Sequence, residues 1–136
     1  MKNPKLFLVS APSGAGKSSL IDAVLASAKQ SDLALELSIS YTTRSPRKGE
    51  SNGNQYFFIS EEDFINKKNA NFFLEHAEVH GNWYGTSVDF VESKLSSGIN
   101  LILEIDVQGF RQINELDIQY ESIFCLLYTS DAADDV

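Results

Sequence analysis

The sequence predicts an α/β fold: a parallel sheet flanked by helices, with a β-rich segment inserted into it. Three observations carry this. An apolar run, Leu6-Phe7-Leu8-Val9, enters a glycine-bearing turn, and a helical pattern begins at Leu20. From about Thr86 onward helical and strand patterns alternate, as they do around a parallel sheet. Between about Tyr41 and Thr86 the pattern is richer in short strands.

Each element has its own signal. Leu20, Val24, Leu25 and Ala28 fall at helical spacing in a stretch rich in Ala and Leu. Leu35 to Tyr41, LELSISY, alternates as one strand and leads into TTRSPRKGE, which reads as an exposed basic loop. Gln55 to Ile59 is a further strand. Ser60-Glu61-Glu62-Asp63 has the form of a helix cap with acids in the first turn, and its helix runs to about Lys68. Phe72 to Val79 reads as a strand, followed by an aromatic-flanked turn over Gly81-Asn82-Trp83-Tyr84-Gly85. Thr86 or Ser87 caps a helix to about Leu95. Ile99 to Ile105 is a buried strand ending near Glu104 and Asp106, a short helix covers about Val107 to Leu116, and Ser122 to Leu127 is the last strand. Ligands of such sheets lie beyond the carboxyl ends of the strands. Ser10, Tyr41 and Asp106 are expected to converge there.

The loop after the first strand, KLFLVSAPSGAGKSS, has the composition of a phosphate cradle. Gly14 and Gly16 let the backbone curl so that its N–H groups face anionic oxygens. The loop ends at a helix N-terminus, which adds positive partial charge. Lys17 can bridge the outer phosphates of a nucleoside triphosphate, and the Ser18 hydroxyl can hold Mg²⁺. The motif G-x-x-x-x-G-K-[ST] has Ala11 where glycine is usual. A glycine turn without a ligand is the bland alternative, but it does not account for Gly-Lys-Ser between a strand and a helix.

Composition bounds the rest. The chain has 136 residues and 43% hydrophobic content, enough for one domain with a real core. A single cysteine, Cys125, excludes an internal disulfide framework, and no stretch is long enough to span a membrane. The N-terminus runs straight into the first strand without room for a signal peptide, so a cytoplasmic location is expected. A net charge of −8 argues against non-specific nucleic-acid binding. Against that background Arg44 and Arg47 stand out. Separated by Ser45-Pro46 in a partly preset loop, the two guanidinium groups can grip one phosphate through paired hydrogen bonds. A solvated basic turn is the commoner fate of such a cluster; the phosphate loop upstream favours the phosphate grip.

SAPSGAGKSS, SYTTRSPRKGE, NQYFF, FLEHAEVHGNWYGTS and LILEIDVQG, in that order, resemble the guanylate kinase family from about Leu6 to about Phe124. The resemblance implies transfer of a phosphoryl group from ATP to GMP with Mg²⁺, on a P-loop kinase core with a parallel sheet and helices on both faces. It implies that residues 1–41 and 87–127 form an incomplete core and 42–86 a GMP-binding insert. ATP would contact Ala11, Pro12, Ser13, Gly14, Ala15, Gly16, Lys17, Ser18 and Ser19. GMP would contact Ser40, Arg44, Arg47, Tyr56, Glu75, Tyr84, Thr86, Glu104 and Asp106, with Lys17, Arg44 and Asp106 in catalytic roles. Trp83 stands where many relatives have tyrosine, and Glu104 where aspartate is also found. His76 and His80 are assigned no catalytic role, and Tyr120, Phe72 and Phe73 are assigned to packing.

The chemistry agrees. Guanine presents N1–H and an exocyclic NH₂ side by side, and one carboxylate, as on Glu75, accepts both. Adenine presents an acceptor at N1 and is repelled. A buried group left unpaired costs roughly 1–3 kcal/mol, enough to discriminate. A hydroxyl from Ser40 or Thr86 can donate to guanine O6.

From Cys125 the resemblance stops. The string CLLYTSDAADDV looks like a translated transposon-type sequencing adapter, so residues 125–136 are expected to be an artefact that replaces a C-terminal lid, and the chain a weakly active or inactive fragment. Two other readings are a non-catalytic guanylate-kinase-like module, disfavoured by Lys17, Ser18 and Arg44, and a P-loop kinase with another acceptor, disfavoured by Glu75 with Ser40. Oligomeric state is not legible.

Overall fold

The computed structural model describes residues 4–10, 17–116 and 121–124, and for Lys17, Ser18, Val107 and 121–124 the backbone alone. In chain order the elements are β1 (Leu6–Ser10), α1 (Lys17–Gln30), β2 (Leu35–Leu37), β3 (Ser40–Thr42), β4 (Tyr56–Phe58) and α2 (Glu61–Asn69). They continue with β5 (Phe73–Val79), β6 (Asn82–Ser87), α3 (Val88–Ser96), β7 (Asn100–Glu104), α4 (Val107–Asn114) and β8 (Glu121–Phe124). The Cys125 tail and Tyr120 lie outside the described residues.

Two sheets form. The first has the order β2-β7-β1-β8 with every pair parallel. Its period-two alternation sends apolar side chains to both faces. Leu6, Leu8, Leu101 and Leu103 pack with Val91 of α3 and Ile113 of α4 on one face. Val9 and Ile102 pack with Ile21 of α1 on the other. Each fully buried leucine contributes about 1.5–3 kcal/mol, so this double burial anchors the fold. Helices therefore cover both faces, as expected. The chain leaves β1 toward one side of the sheet and reaches β8 on the other, which makes the carboxyl end of β1 a switch point, the usual ligand crevice.

The second sheet has the order β4-β3-β6-β5, antiparallel except for the β3/β4 pair. It takes in residues from Ser40 to Ser87, so the boundary between the sheets falls just before Ser40. The stretch Leu35–Tyr41, expected as one strand, is two. β2 pairs with β7 in the first sheet, Ser38 donates its N–H to Ile102 O (2.8 Å), and the chain then crosses to β3 in the second. Of the segment expected as a turn at 81–85, Asn82 to Gly85 is strand. The turn is the pair His80-Gly81, with φ of 52° and 81°, and Val79 faces Asn82 across it. Two consecutive positive-φ residues match the twist of a tight hairpin, which favours glycine at the second. Gly85 lies within β6 because a Cβ there would sit 2.8 Å from the Phe73 ring and 3.0 Å from that of Phe64.

The helix starts follow side-chain caps. Ser60 Oγ accepts from Asp63 N (3.1 Å), Ser87 Oγ from Phe90 N (3.1 Å) and Asp106 Oδ1 from Gly109 N (3.0 Å). Each such cap contributes about 1 kcal/mol. Among the described residues no helix is long and apolar enough to cross a membrane.

Candidate active site

One half of the candidate site is built at the carboxyl ends of β1 and β7. Ala11 to Gly16 of the glycine loop lie outside the described residues. Lys17, Ser18 and Ser19 form the first turn of α1, next after that loop. Val9 is in register with Glu104, and Ile105 N donates to Val9 O (3.1 Å), so Glu104 and Asp106 stand beside the strand that feeds the loop. Asp106 is half-buried. Its Oδ1 caps α4 and its Oδ2 accepts from Gln108 Nε2 (3.2 Å). Ser10 and Asp106 thus meet at the sheet end, but Tyr41 does not. Because the chain breaks after β2, Tyr41 belongs to the second sheet, where its ring packs on Phe57 (4.8 Å) and Phe72 (5.2 Å).

Glu104 and Asp106 supply hard oxygen donors of the kind Mg²⁺ takes, one or two carboxylates alongside phosphate oxygens and water. Among the described residues no cluster of three or more His, Cys, Asp or Glu is found. By donor type, the two carboxylates fit the ion.

The other half lies on one face of the second sheet. Glu75 pairs with Thr86 across β5 and β6, Tyr84 lies two residues before Thr86, and Ser40 pairs with Tyr56 across β3 and β4. Alternation puts these five side chains on a single face. The opposite face is aromatic. Phe73 stacks on Phe64 at 4.4 Å, Trp83 stacks on Phe64 at 5.6 Å, and Tyr41 packs there as well. The packing roles expected of Phe72 and Phe73 are what these ring contacts display.

At one end of the polar face Glu75 is 6% exposed. The Thr86 hydroxyl donates to its Oε1 (2.8 Å), and Ser40 Oγ lies 3.4 Å from Thr86 Oγ1. Its other oxygen, Oε2, makes no protein hydrogen bond among the described residues. Burial pushes the Glu75 carboxyl up to about 7; the Thr86 hydrogen bond opposes the shift and the charge of Asp106 adds to it. The carboxylate is thus nearly dry, and among the described residues one of its oxygens has no hydrogen-bond donor.

At the other end the guanidinium of Arg44 lies 5.2 Å from the Tyr56 ring centre, and the Tyr56 and Tyr84 rings are 5.8 Å apart. Arg44 is held from below. The buried Thr42 hydroxyl donates to Trp83 O (2.9 Å) and accepts from Arg44 N (3.1 Å). Residues 42–50 form more than the exposed basic loop expected. Arg44 Nη1 and Nη2 donate to both oxygens of Glu50 (2.9 and 3.1 Å), and Nη1 also donates to Ser45 O (3.1 Å). Glu50 Oε1 further accepts from Arg47 N (2.8 Å). This pairing raises the pKa of Arg44 and lowers that of Glu50. The edge of Arg44 made of Nε–H and the second Nη2 hydrogen is the one not used by Glu50. The Arg47 side chain is exposed, while its backbone closes the loop.

Sequence reasoning missed Glu50. Its signal was an acid six residues after Arg44, at the end of a loop containing Pro46 and Gly49. It was obscured because the segment was read for its positive charges alone.

The guanylate kinase family model matches residues 3–136. The chain belongs to the guanylate kinase family. The match continues past Phe124, where the likeness in the sequence motifs ends. A guanylate kinase from Hahella chejuensis is 52% identical over 126 residues, covering 93% of this chain and 59% of the relative. One from Escherichia coli is 47% identical over 126 residues, again 93% of this chain and 60% of the relative. The chain therefore spans about 60% of the length of these curated relatives. The crystal structure of guanylate kinase from Anaplasma phagocytophilum superimposes with a TM-score of 0.70 at 31% identity, covering 91% of this chain and 61% of that one. Guanylate kinase architecture thus agrees with the two-sheet arrangement found here.

Proposed function

We propose that this chain carries the acceptor site and most of the donor site of an enzyme that transfers the γ-phosphoryl group of ATP to GMP, giving ADP and GDP. Residues 42–86 together with Ser40, Tyr41 and Ser87 of the same sheet act as the acceptor insert, and 1–39 with 88–127 as the ATP-binding core. The observation that carries the reading is the single polar face holding Ser40, Tyr56, Glu75, Tyr84 and Thr86, with a buried carboxylate at one end and Arg44 at the other. A guanine base suits the first end. Its N1–H and NH₂ are the two donors a carboxylate can accept, and the Ser40 or Thr86 hydroxyl can serve O6. A monophosphate suits the second, where Arg44 offers a planar edge, Tyr56 and Tyr84 add phenols, and Arg47 lies in the same loop.

Phosphoryl transfer needs positioning and charge neutralisation rather than a covalent nucleophile. The loop from Ala11 to Gly16, with Lys17, Ser18 and Ser19, would cradle the ATP phosphates. Lys17 and Arg44 would flank the transferring group, and Asp106, beside the loop at the sheet end, would orient the acceptor. Ser18 with Glu104 and Asp106 would hold Mg²⁺, which when bound neutralises phosphate charge. The partners are thus small nucleotides rather than nucleic acid, in keeping with the net charge of −8, and the setting assigned is the cytoplasm. Calorimetric titration of GMP, AMP and UMP tests the reading. GMP should bind at least tenfold more tightly than AMP, about what one unpaired buried group costs. Equal affinity for the three overturns it.

A further inference from the structure

Glu75 sits on β5, the edge strand of the second sheet, and α4 lies against that edge. His76 pairs with Gly85 on the β6 side, and its own N–H and C=O point outward, away from the ladder. The side-chain amide of Gln112 meets both: His76 N donates to Gln112 Oε1 (2.9 Å) and Gln112 Nε2 donates to His76 O (2.5 Å). One amide thus replaces a neighbouring strand for the residue next to Glu75. One turn earlier on the same helix face, Gly109 is buried against the Glu75 carboxylate. A Cβ on Gly109 would lie 3.0 Å from Glu75 Oε2, 3.2 Å from its Cδ and 3.2 Å from Ile105 Cβ. With Ile105 backing the site, it is the carboxylate that must give way. The helix itself is fixed by the Asp106 cap on Gly109 N, just beyond the end of β7.

We propose that Gly109 and Gln112 are specificity-positioning residues: Gln112 clamps the β5 backbone at His76 while Gly109 leaves the space that aims the Glu75 carboxylate at the base. The inference rests on the guanine-binding reading given above. Neither residue touches the nucleotide; both act through Glu75.

The test is calorimetric titration of the whole chain and of Gln112→Ala and Gly109→Ala with GMP, IMP and ribose 5-phosphate. IMP lacks the 2-amino group and so scores the second hydrogen bond to Glu75. Both variants should bind GMP about tenfold more weakly, the worth of one misaligned hydrogen bond to a charged group. The GMP-to-IMP ratio should fall toward one, and affinity for ribose 5-phosphate should be unchanged. In the unaltered chain GMP, but not ribose 5-phosphate, should slow hydrogen exchange of the His76 amide. A folded Gln112→Ala variant that keeps its GMP affinity and its GMP-to-IMP ratio overturns the proposal. So does a His76 amide indifferent to GMP, which decides the matter if the variants fail to fold. If the unaltered chain shows no preference for GMP, the guanine-binding reading fails and this inference with it; a preference that survives both substitutions removes this inference alone.

Discussion

Glu75 and Arg44 are the two charged anchors of one sheet face, and their surroundings differ in kind. Glu75 is buried with a neutral hydroxyl as its hydrogen-bond partner, and its carboxyl is displaced toward neutrality. Arg44 is locked to a full counter-charge, its side chain 12% exposed beside Glu50 at 18%. Ionised Glu75 is thus opposed by its own burial, whereas Arg44 is already paired and its orientation fixed. On the proposed reading, selectivity for the base comes at a cost in stability at Glu75, and at Arg44 the fixed orientation lowers the entropy lost on binding.

The sharpest way to break this contrast is Glu75→Gln. The amide oxygen can still accept from Thr86, but the charge is gone and an amide donor now faces the base donors. GMP affinity should fall by on the order of 10²-fold by titration. Thermal melts at pH 8 should show the variant more stable than the parent, by up to about 3 kcal/mol, since burial no longer opposes an ionised group. Arg44→Ala comes next. It removes the phosphate edge and strands Glu50, so GMP should weaken by roughly 10- to 100-fold, the range for a charge-assisted hydrogen bond, while guanosine affinity holds.

A smaller effect sharpens the same contrast through pH. The folded-state pKa of Glu75 is raised from the usual 4.5 to about 7. The folded chain therefore holds the proton more tightly than the unfolded one. The stability tied to this group is fully present below pH 4.5 and is lost as pH rises toward 7. GMP affinity should move the opposite way, gaining up to about tenfold from pH 6 to 8 as the carboxylate ionises. Glu75→Gln should flatten both profiles. The smallest expected change is Glu50→Gln: a few-fold loss in GMP affinity with guanosine unaffected, read by titration, because Arg44 keeps its charge and loses its rigid orientation.

The legible parts of the molecule were those whose signals are local. The caps at Ser60 and Ser87 could be read from neighbours in the chain, whereas Ser40, Glu75 and Thr86 were named through the family motifs and meet only across three strands. What escaped depended on distant partners. LELSISY keeps an unbroken period of two, and nothing within it says that Leu37 pairs with Ile102 while Tyr41 pairs with Gly85. Gly81 and Gly85 looked alike as turn signals. One supplies a positive φ, and the other makes room for the rings of Phe73 and Phe64. Glu50 was hidden for a similar reason: its carboxylate belongs with Arg44 only once the loop has closed.

The depth at which Glu75 is buried has a thermodynamic corollary. A carboxyl that is half-protonated near pH 7 must shed its remaining proton when two donors arrive. On the proposed reading, capture of the base then releases a proton, and the heat measured for it should shift with the ionisation enthalpy of the buffer while the free energy does not.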